Sequence, residues 1–486
     1  MARLNDQRLV TVSIMLATVM QVLDTTIANV ALPHMQGSLS ASTDQITWVL
    51  TSYIVAAAIM TPTVGFMASR LGRRRLFLWS VAGFTVASGL CGLSASLDQM
   101  VMFRILQGVF GAALVPLSQS VLLDAYPVEK HGQAMAIWGM GVMVGPILGP
   151  TLGGWLTEWY SWRWVFYINL PFGLLAFAGI WLSVSETETR KVRFDVMGFA
   201  YLGLAIGAFQ LMLDRGEQVQ WFESFEIQLE AVLALLGLYL FVVHSLTRKD
   251  PFIDPALFKD RNFVTGLVFI FVVGIILLAT MALLPPFLQQ WKDYPAVTTG
   301  LVLAPRGLGS MFSMMLVGRL MRTRLDPRVL VITGLLFITF SLHEMAGFTL
   351  EVSRNTLIWT GVLQGLGLGL VFVPASALTY ATLNPSLRTE GASLFSLSRN
   401  LGSSVGISIM TAMLSRNLWI NQQQLGEHLQ LAPWLSQGLP MKEMVGSVPT
   451  AVYQTLLSQA AEISYMNDFR LLMWINMAAI PLVFLL

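Results

Sequence analysis

Apolar runs of about 20 residues recur along the whole chain, separated by short polar or basic stretches. A run of that length is what a helix needs to cross the apolar core of a bilayer. Fourteen runs start near Arg8, Thr47, Leu76, Met100, Gln133, Arg163, Asp195, Gln228, Asn262, Thr299, Val329, Thr356, Gly391 and Phe469. The pattern predicts an all-α polytopic membrane protein with fourteen spans. The first run is too long for a signal-peptide core and lacks a small-residue cleavage site, so it reads as a retained span. The last run stops at Leu486 without a polar flank, which reads as a chain that continues further.

Composition agrees with this pattern. Of 486 residues, 55% are apolar and 12% charged, and a soluble domain on one anchor is excluded. The net charge of +2 says little, but its distribution says more. One set of loops carries Arg70, Arg73, Arg74, Arg75, Lys130, Arg190, Lys191, Arg193, Arg248, Lys249, Lys259, Arg261, Arg322, Arg324, Arg328 and Arg388. The opposite set holds Arg163, Arg215, Lys292, Arg354, Arg416 and Lys442. With an even span count, the positive-inside rule places both termini in the cytoplasm. The single cysteine, Cys91, excludes an internal disulfide and a cysteine-cluster metal site.

The chain also repeats itself. Arg104 to Pro116 resembles Gly361 to Pro374, with Gln107-Gly108 matching Gln364-Gly365, and Gly65 has a counterpart in Gly318. The offsets nearly agree. Two six-span halves, residues 1–190 and 251–486, would flank two additional central spans in 191–250. Internal repeats with a site at their interface are a common build for secondary transporters. The stretch from about 416 to 468 reads as the one long loop, rich in glutamine and facing away from the termini. Its length suits a lid or a docking surface.

Asp24 is the costliest residue in this pattern. No other acid or base lies between Arg8 and His34. An intramembrane carboxylate marks a functional path by default. Thr18, Gln21, Asp24, Thr25 and Asn29 recur at three- and four-residue spacing and form one polar stripe on a helix. Helix packing is the bland alternative. Arg104, Gln107, Gly108 and Gly111 share a second helix face. A buried arginine cannot shed its charge, so Arg104 needs a carboxylate, carbonyls or water. Asp24 is one candidate partner, and carbonyls are the other. Tyr53, Gln364, Arg306, Arg399 and Asn400 are further cavity candidates. Arg306 sits near mid-depth, whereas Arg399 reads as closer to the cytoplasmic end, within snorkelling reach of the surface. His343-Glu344 reads as an interfacial pair.

Gly141, Gly145, Gly149 and Gly153 recur every fourth residue and form a groove for a close neighbour. Pro146 and Pro150 interrupt the same helix. This predicts a hinge at a rocking surface, or else a tight static helix pair. Gly65, Arg70, Gly72, Arg73 and Arg74 mark a loop that either anchors the chain by charge or latches two spans. No P-loop, HExxH or placed GxSxG occurs, and no metal-ligand cluster. Nothing predicts an enzyme, and transport without a nucleotide site would draw on an ion gradient.

Together these motifs resemble the major facilitator superfamily over essentially the whole chain. Gly65 to Arg74 is similar to its loop signature, and Arg104 with Gln107-Gly108 to its fourth-span motif. Gly141, Gly145, Pro146, Gly149, Pro150, Gly153 and Gly154 resemble its antiporter motif. LDTTIANVALP around Asp24 and WRWVFYINLP from Trp162 resemble the fourteen-span drug:proton antiporter branch. Leu211 to Phe222, Pro251 to Phe263, the extra spans and the long outer loop resemble inner-membrane exporters of tripartite pumps.

The resemblance implies proton-coupled efflux of hydrophobic or amphipathic drugs by alternating access, with no cofactor. Asp24 and Arg104 would carry the coupling. It also implies a Gram-negative inner membrane, a periplasmic adaptor and an outer-membrane channel. The loop signature usually carries an acid where this chain has Ser69, so its salt-bridge latch does not transfer. The alternatives are a dedicated exporter of one siderophore, fatty acid or metabolite, and a receptor or scaffold that transports nothing.

Overall fold

The computed structural model describes residues 6–189, 193–248, 251–321, 325–428 and 450–485. The principal helices are α1 (Asp6–Ser38), α2 (Trp48–Met60), α3 (Thr63–Leu71), α4 (Arg73–Leu93), α5 (Leu97–Gly111), α6 (Leu114–Ala125), α7 (His131–Trp159) and α8 (Asn169–Ser183). Then follow α9 (Val196–Arg215), α10 (Phe225–Thr247), α11 (Arg261–Pro286), α12 (Ala296–Leu320), α13 (Pro327–Met345), α14 (Arg354–Ala381), α15 (Arg388–His428) and α16 (Thr450–Ala479). No strand occurs among the described residues.

This is a multi-span helical membrane protein. Among the described residues, twelve helices are long and apolar enough to cross a membrane. The bent pair α2–α3, turned by 59° at Thr61-Pro62, brings the number to thirteen. Proline at the break removes a helix donor and crowds the preceding turn. Of the fourteen expected spans, the one left over, near Gly391, corresponds to α15. Its serines, Arg399 and Asn400 make it too polar to count on composition, so thirteen is the number that length and apolarity support.

The segment from 416 to 468, expected as a loop, is helical in its described parts. α15 runs on to His428 and α16 begins at Thr450, and the remainder lies outside the described residues. Helix length is the reason: 41 residues rise about 60 Å, roughly twice an apolar core.

Helices α1 to α8 pack as one group, and α11 to α16 as another. The groups meet where α7 lies along α12, and where α6 and α3 meet α15. Helix α9 lies between α2 and α15, and α10 packs on α9. At one end of this hairpin the Asp195 carboxylate meets His244 at 3.0 Å and Arg248 at 3.0 Å. At the other, Arg215 pairs with Glu226. The outward face of α10 exposes Leu235, Tyr239 and Leu246, as a lipid-facing helix does. The end of the bundle carrying Arg73 and Arg388 is called the basic end below.

Candidate functional site

Asp24 lies fully buried between α1, α5 and α8. Its Oδ2 accepts a hydrogen bond from Arg104 Nη1 at 2.8 Å. Its Oδ1 accepts from Gln107 Nε2 at 2.9 Å and from Asn169 Nδ2 at 2.7 Å. Helix geometry supplies two of these donors, because Arg104 and Gln107 stand three residues apart on one face of α5. Arg104 is equally well held. It donates from Nε to the Val49 carbonyl at 2.9 Å and from Nη1 to Gln107 Oε1 at 2.7 Å. Its guanidinium lies 4.3 Å from the centre of the Tyr53 ring. Of the two open readings for Arg104, the structure takes both, a carboxylate and a carbonyl. A buried ion pair needs such a complete hydrogen-bond shell to offset its desolvation.

Asn169 continues the network, donating to Ser88 Oγ at 2.9 Å, which donates to the Phe166 carbonyl at 2.9 Å. Sequence reasoning did not single out Asn169, although it lies inside the WRWVFYINLP stretch. Cys91 is buried and approaches Gln107 Oε1 at 3.7 Å.

The polar stripe of α1 divides by depth. Thr18 and Asp24 are buried, Gln21 and Thr25 are half-buried, and Asn29 is exposed. Gln21 Nε2 donates to the Tyr53 hydroxyl at 3.1 Å. A polar line therefore leads from half-buried Gln21 through Tyr53 to Arg104 and Asp24.

The glycine groove of α7 is a correction in part. It was expected at a surface where halves rock, but it seats α1 of the same group. A Cβ on Gly145 would stand 2.8 Å from the Val22 carbonyl oxygen. One on Gly149 would stand 2.7 Å from Thr26 Cβ, and one on Gly153 2.9 Å from Ile27. Gly141 faces Met15. Gly154 lies off the groove, with nothing within 4 Å. Between Gly145 and Gly149 sits Pro146, and the α1 turn gripped there is the turn that bears Asp24. Pro150 lies on the same helix. It is the other side of α7 that meets the second group, where Gly139 faces Met314 and Ile147 faces Gly307.

At the basic end, Gly72 adopts φ +87°, which favours glycine, and a Cβ there would strike Glu186. The turn delivers Arg73 to Asp124 on α6. Arg388, the first residue of α15, reaches the same carboxylate at 3.0 Å. Asp124 thus joins the signature loop to the second group, a bridge that sequence reasoning missed. Arg74 lies over Trp181, Arg75 pairs with Glu186 at 3.6 Å, and Arg70 is exposed. Gly65 packs directly on Glu390, whose Oε1 accepts from the Asp254 amide at 2.7 Å. Ser69, in place of an acid, bonds only locally to the Phe66 carbonyl at 2.8 Å.

The second group repeats the Asp24 arrangement without its carboxylate. Gln364 Nε2 donates to Thr280 Oγ1 at 3.3 Å, as Gln107 does to Asp24. Arg306 is buried and donates to the Leu277 carbonyl at 3.3 Å. With Gln364 and Asn476 it lines a cavity of about 10 Å³, room for one water. The cavity that Arg306 lines lies within α11, α12, α13, α14 and α16. Arg399 stands eleven residues into α15, about 16 Å from its start. Its guanidinium lies 5.9 Å from the Trp138 ring of α7, so it sits between the groups. Asn400 beside it is exposed.

A sequence profile described as Major Facilitator Superfamily matches residues 14–407. The chain belongs to that superfamily. Its superfamily relatives include "Fatty acid resistance protein FarB" of Neisseria gonorrhoeae, 39% identical over 86% of this chain and 83% of the relative. "Multidrug export protein EmrB" of Escherichia coli K12 is 38% identical over 87% of this chain and 82% of the relative. "Probable multidrug resistance protein EmrY" of the same organism is 36% identical over 94% and 88%. Among solved structures, the proton:xylose symporter XylE aligns over 97% of this chain and 95% of its own, with a TM-score of 0.62 at 13% identity. A bacterial homolog of the lysosomal transporter Spinster aligns over 99% and 98%, with a TM-score of 0.58 at 18% identity. At these identities the structural matches establish the major facilitator fold alone.

Proposed function

We propose that this chain is a proton-driven exporter of hydrophobic and amphipathic drugs. It sits in a bacterial inner membrane with both termini cytoplasmic. One observation carries the reading: a buried carboxylate, Asp24, holds an arginine that cannot lose its charge. Ionised, Asp24 neutralises Arg104 and accepts three hydrogen bonds. When Asp24 takes up a proton, Arg104 loses its counter-charge and the cage must rearrange. Such a pair is a two-state element that proton occupancy biases. Its seat on α1, gripped by the α7 groove, couples that change to the helix that meets the second half. The gradient alone supplies the energy, with no cofactor.

The names of the relatives support drug export, and the excess of basic residues at the Asp124 end supports a cytoplasmic placement of that end. A periplasmic adaptor and an outer-membrane channel would complete the path. The extended helices at α15 and α16 project on the periplasmic side and offer the docking surface. The test is drug efflux from vesicles under an imposed pH gradient. Asp24→Asn abolishes gradient-driven efflux if the reading is correct, and undiminished efflux refutes it.

A second reading, export of one chemical class, is favoured by the fatty acid resistance relative. A susceptibility panel of a deletion strain separates the two: sensitivity confined to fatty acids supports the narrow exporter.

A further inference from the structure

Arg399 stands between the halves, and the Asp24 mechanism does not use it. It is held quite differently from Arg104. Where Arg104 has a carboxylate, a carbonyl and an amide oxygen, Arg399 has one long hydrogen bond, from Nη2 to Oδ1 of its own neighbour Asn400 at 3.4 Å. No ion pair involves it among the described residues. An arginine cannot shed its proton, and a cation drawn out of bulk water without a counter-charge is costly. The fold therefore keeps a permanent positive charge here and leaves most of its donors unspent.

Two more donors beside it are unspent. Ser396 stands three residues before Arg399, on the same face of α15. Its hydroxyl is buried with no hydrogen-bond partner. Gln119 of α6 is fully buried; its Oε1 accepts from the Tyr380 hydroxyl at 3.4 Å, but its Nε2 has no partner. Tyr380 links the two sides, because its ring lies 5.4 Å from that of Phe395, one turn before Arg399. Arg399 is half-buried and Asn400 exposed, so the cluster reaches accessible space at that edge.

The walls around these donors are aromatic. Trp138 of α7 lies 5.9 Å from the Arg399 guanidinium and stacks on Phe372 of α14, with ring centres 5.8 Å apart and planes 13° apart. The indole Nε1 of Trp138 is already given to Ser118 Oγ at 2.8 Å, so its ring offers apolar surface only. A cation and two free donors set among aromatic rings are complementary to a negative group on an apolar body.

We propose that Arg399, Ser396 and Gln119 form the anion-recognising end of the substrate site, and that the substrate class is an amphipathic organic anion. Its carboxylate or sulfonate takes charge-assisted bonds from the guanidinium. Ser396 and Gln119 donate to its remaining lone pairs, and its apolar body lies against the aromatic walls. Arg399 and Ser396 belong to the second half, Gln119 and Trp138 to the first. The anion is thus held by both halves, and their rocking breaks one set of contacts. Arg399 sets specificity by charge: it attracts an anion and repels a cation of the same shape.

The inference deepens the export reading and rests on it, and a matched set of probes separates their failures. The probes are 2-naphthalenesulfonate, the neutral 2-naphthalenesulfonamide and the 2-naphthylmethyl-trimethylammonium cation. Equilibrium binding is measured on full-length protein in nanodiscs at neutral pH. Wild type binds the sulfonate about tenfold more tightly than the other two. Arg399→Gln loses about tenfold for the sulfonate and nothing for the sulfonamide, and Arg399→Lys restores part of the loss. Ser396→Ala and Gln119→Leu each weaken sulfonate binding about threefold. Equal wild-type affinity for the three probes overturns the proposal, as does an Arg399→Gln that weakens all three alike. If Arg399→Gln does not fold, unchanged sulfonate binding in both Ser396→Ala and Gln119→Leu overturns it instead. The same protein in liposomes is then given an imposed pH gradient. Efflux of the ammonium probe as fast as that of the sulfonate overturns the anion site and leaves export standing. Arg399-dependent sulfonate binding without gradient-driven efflux of any probe overturns the export reading and leaves the anion site.

Discussion

Removing either partner of the Asp24–Arg104 pair destabilises the protein, and the two losses are unequal in their pH dependence. Arg104 makes two bonds to neutral acceptors, Val49 and Gln107, and one to Asp24. Asp24→Asn presents an amide NH₂ to donors already in place on Gln107 or Asn169, so it cannot reproduce the cage. It leaves a permanent buried cation, at a cost of about 3–5 kcal/mol. Arg104→Gln leaves a buried carboxylate instead, which escapes the cost by taking up a proton. Its penalty therefore shrinks as the pH is lowered, whereas that of Asp24→Asn does not. The double variant removes both charges and costs less than the sum, with a coupling of about 2–3 kcal/mol, near the upper range for contacting residues. Reversible unfolding in mixed detergent micelles at several pH values measures all four corners of the cycle. Additive losses, or equal pH dependence of the two single variants, would refute the claim that this pair is a buried ion pair closed on itself.

Gly145→Ala forces a Cβ against the Val22 backbone and should cost at least about 1–3 kcal/mol by overpacking, whereas Gly154→Ala, with open space, stays within about 0.5 kcal/mol; thermal melts of the two variants check this contrast. Arg388→Gln breaks the only bond from the second half to Asp124 among the described ion pairs while leaving Arg73 in place, and a cysteine pair spanning the basic end should then cross-link at least threefold more slowly. Burial pushes the Asp195 carboxyl up, but the Gly198 amide, His244 and Arg248 outweigh it and hold it below the usual carboxylate range. The stability it contributes is present above the usual range and is lost as pH falls through the depressed value. The α9–α10 hairpin should therefore loosen in acid below about pH 4, with Asp195→Asn already loosened at neutral pH, as hydrogen exchange at the hairpin reads.

Much of the fold was legible because membrane crossing imposes one rule on every helix, a long apolar run. The run near Gly391 did become helix α15, although that helix, held among α11, α16 and α6, keeps its serines and Arg399 and is the least apolar of the expected spans. The rule failed past 416, since a helix that outlasts the membrane loses its apolar signature but not its geometry. Asp24 and Arg104 were legible because isolated charges in apolar runs need each other. Asn169 was not, because an uncharged amide 145 residues away has no spacing rule that links it to Asp24. The bridge from Arg73 through Asp124 to Arg388 was hidden for the same reason: each residue looks like an ordinary loop-end charge. The glycine groove was legible as a close contact, but which helix fills it is a property of the three-dimensional packing.

The central claim is that Asp24 carries the transported proton. Its most direct test is proton release from purified protein in weak buffer when a drug is added. The account predicts that wild type releases protons on drug binding and that Asp24→Asn releases fewer, by about one per chain. Release from Asp24→Asn equal to that of the wild type, with the drug still bound, would contradict it.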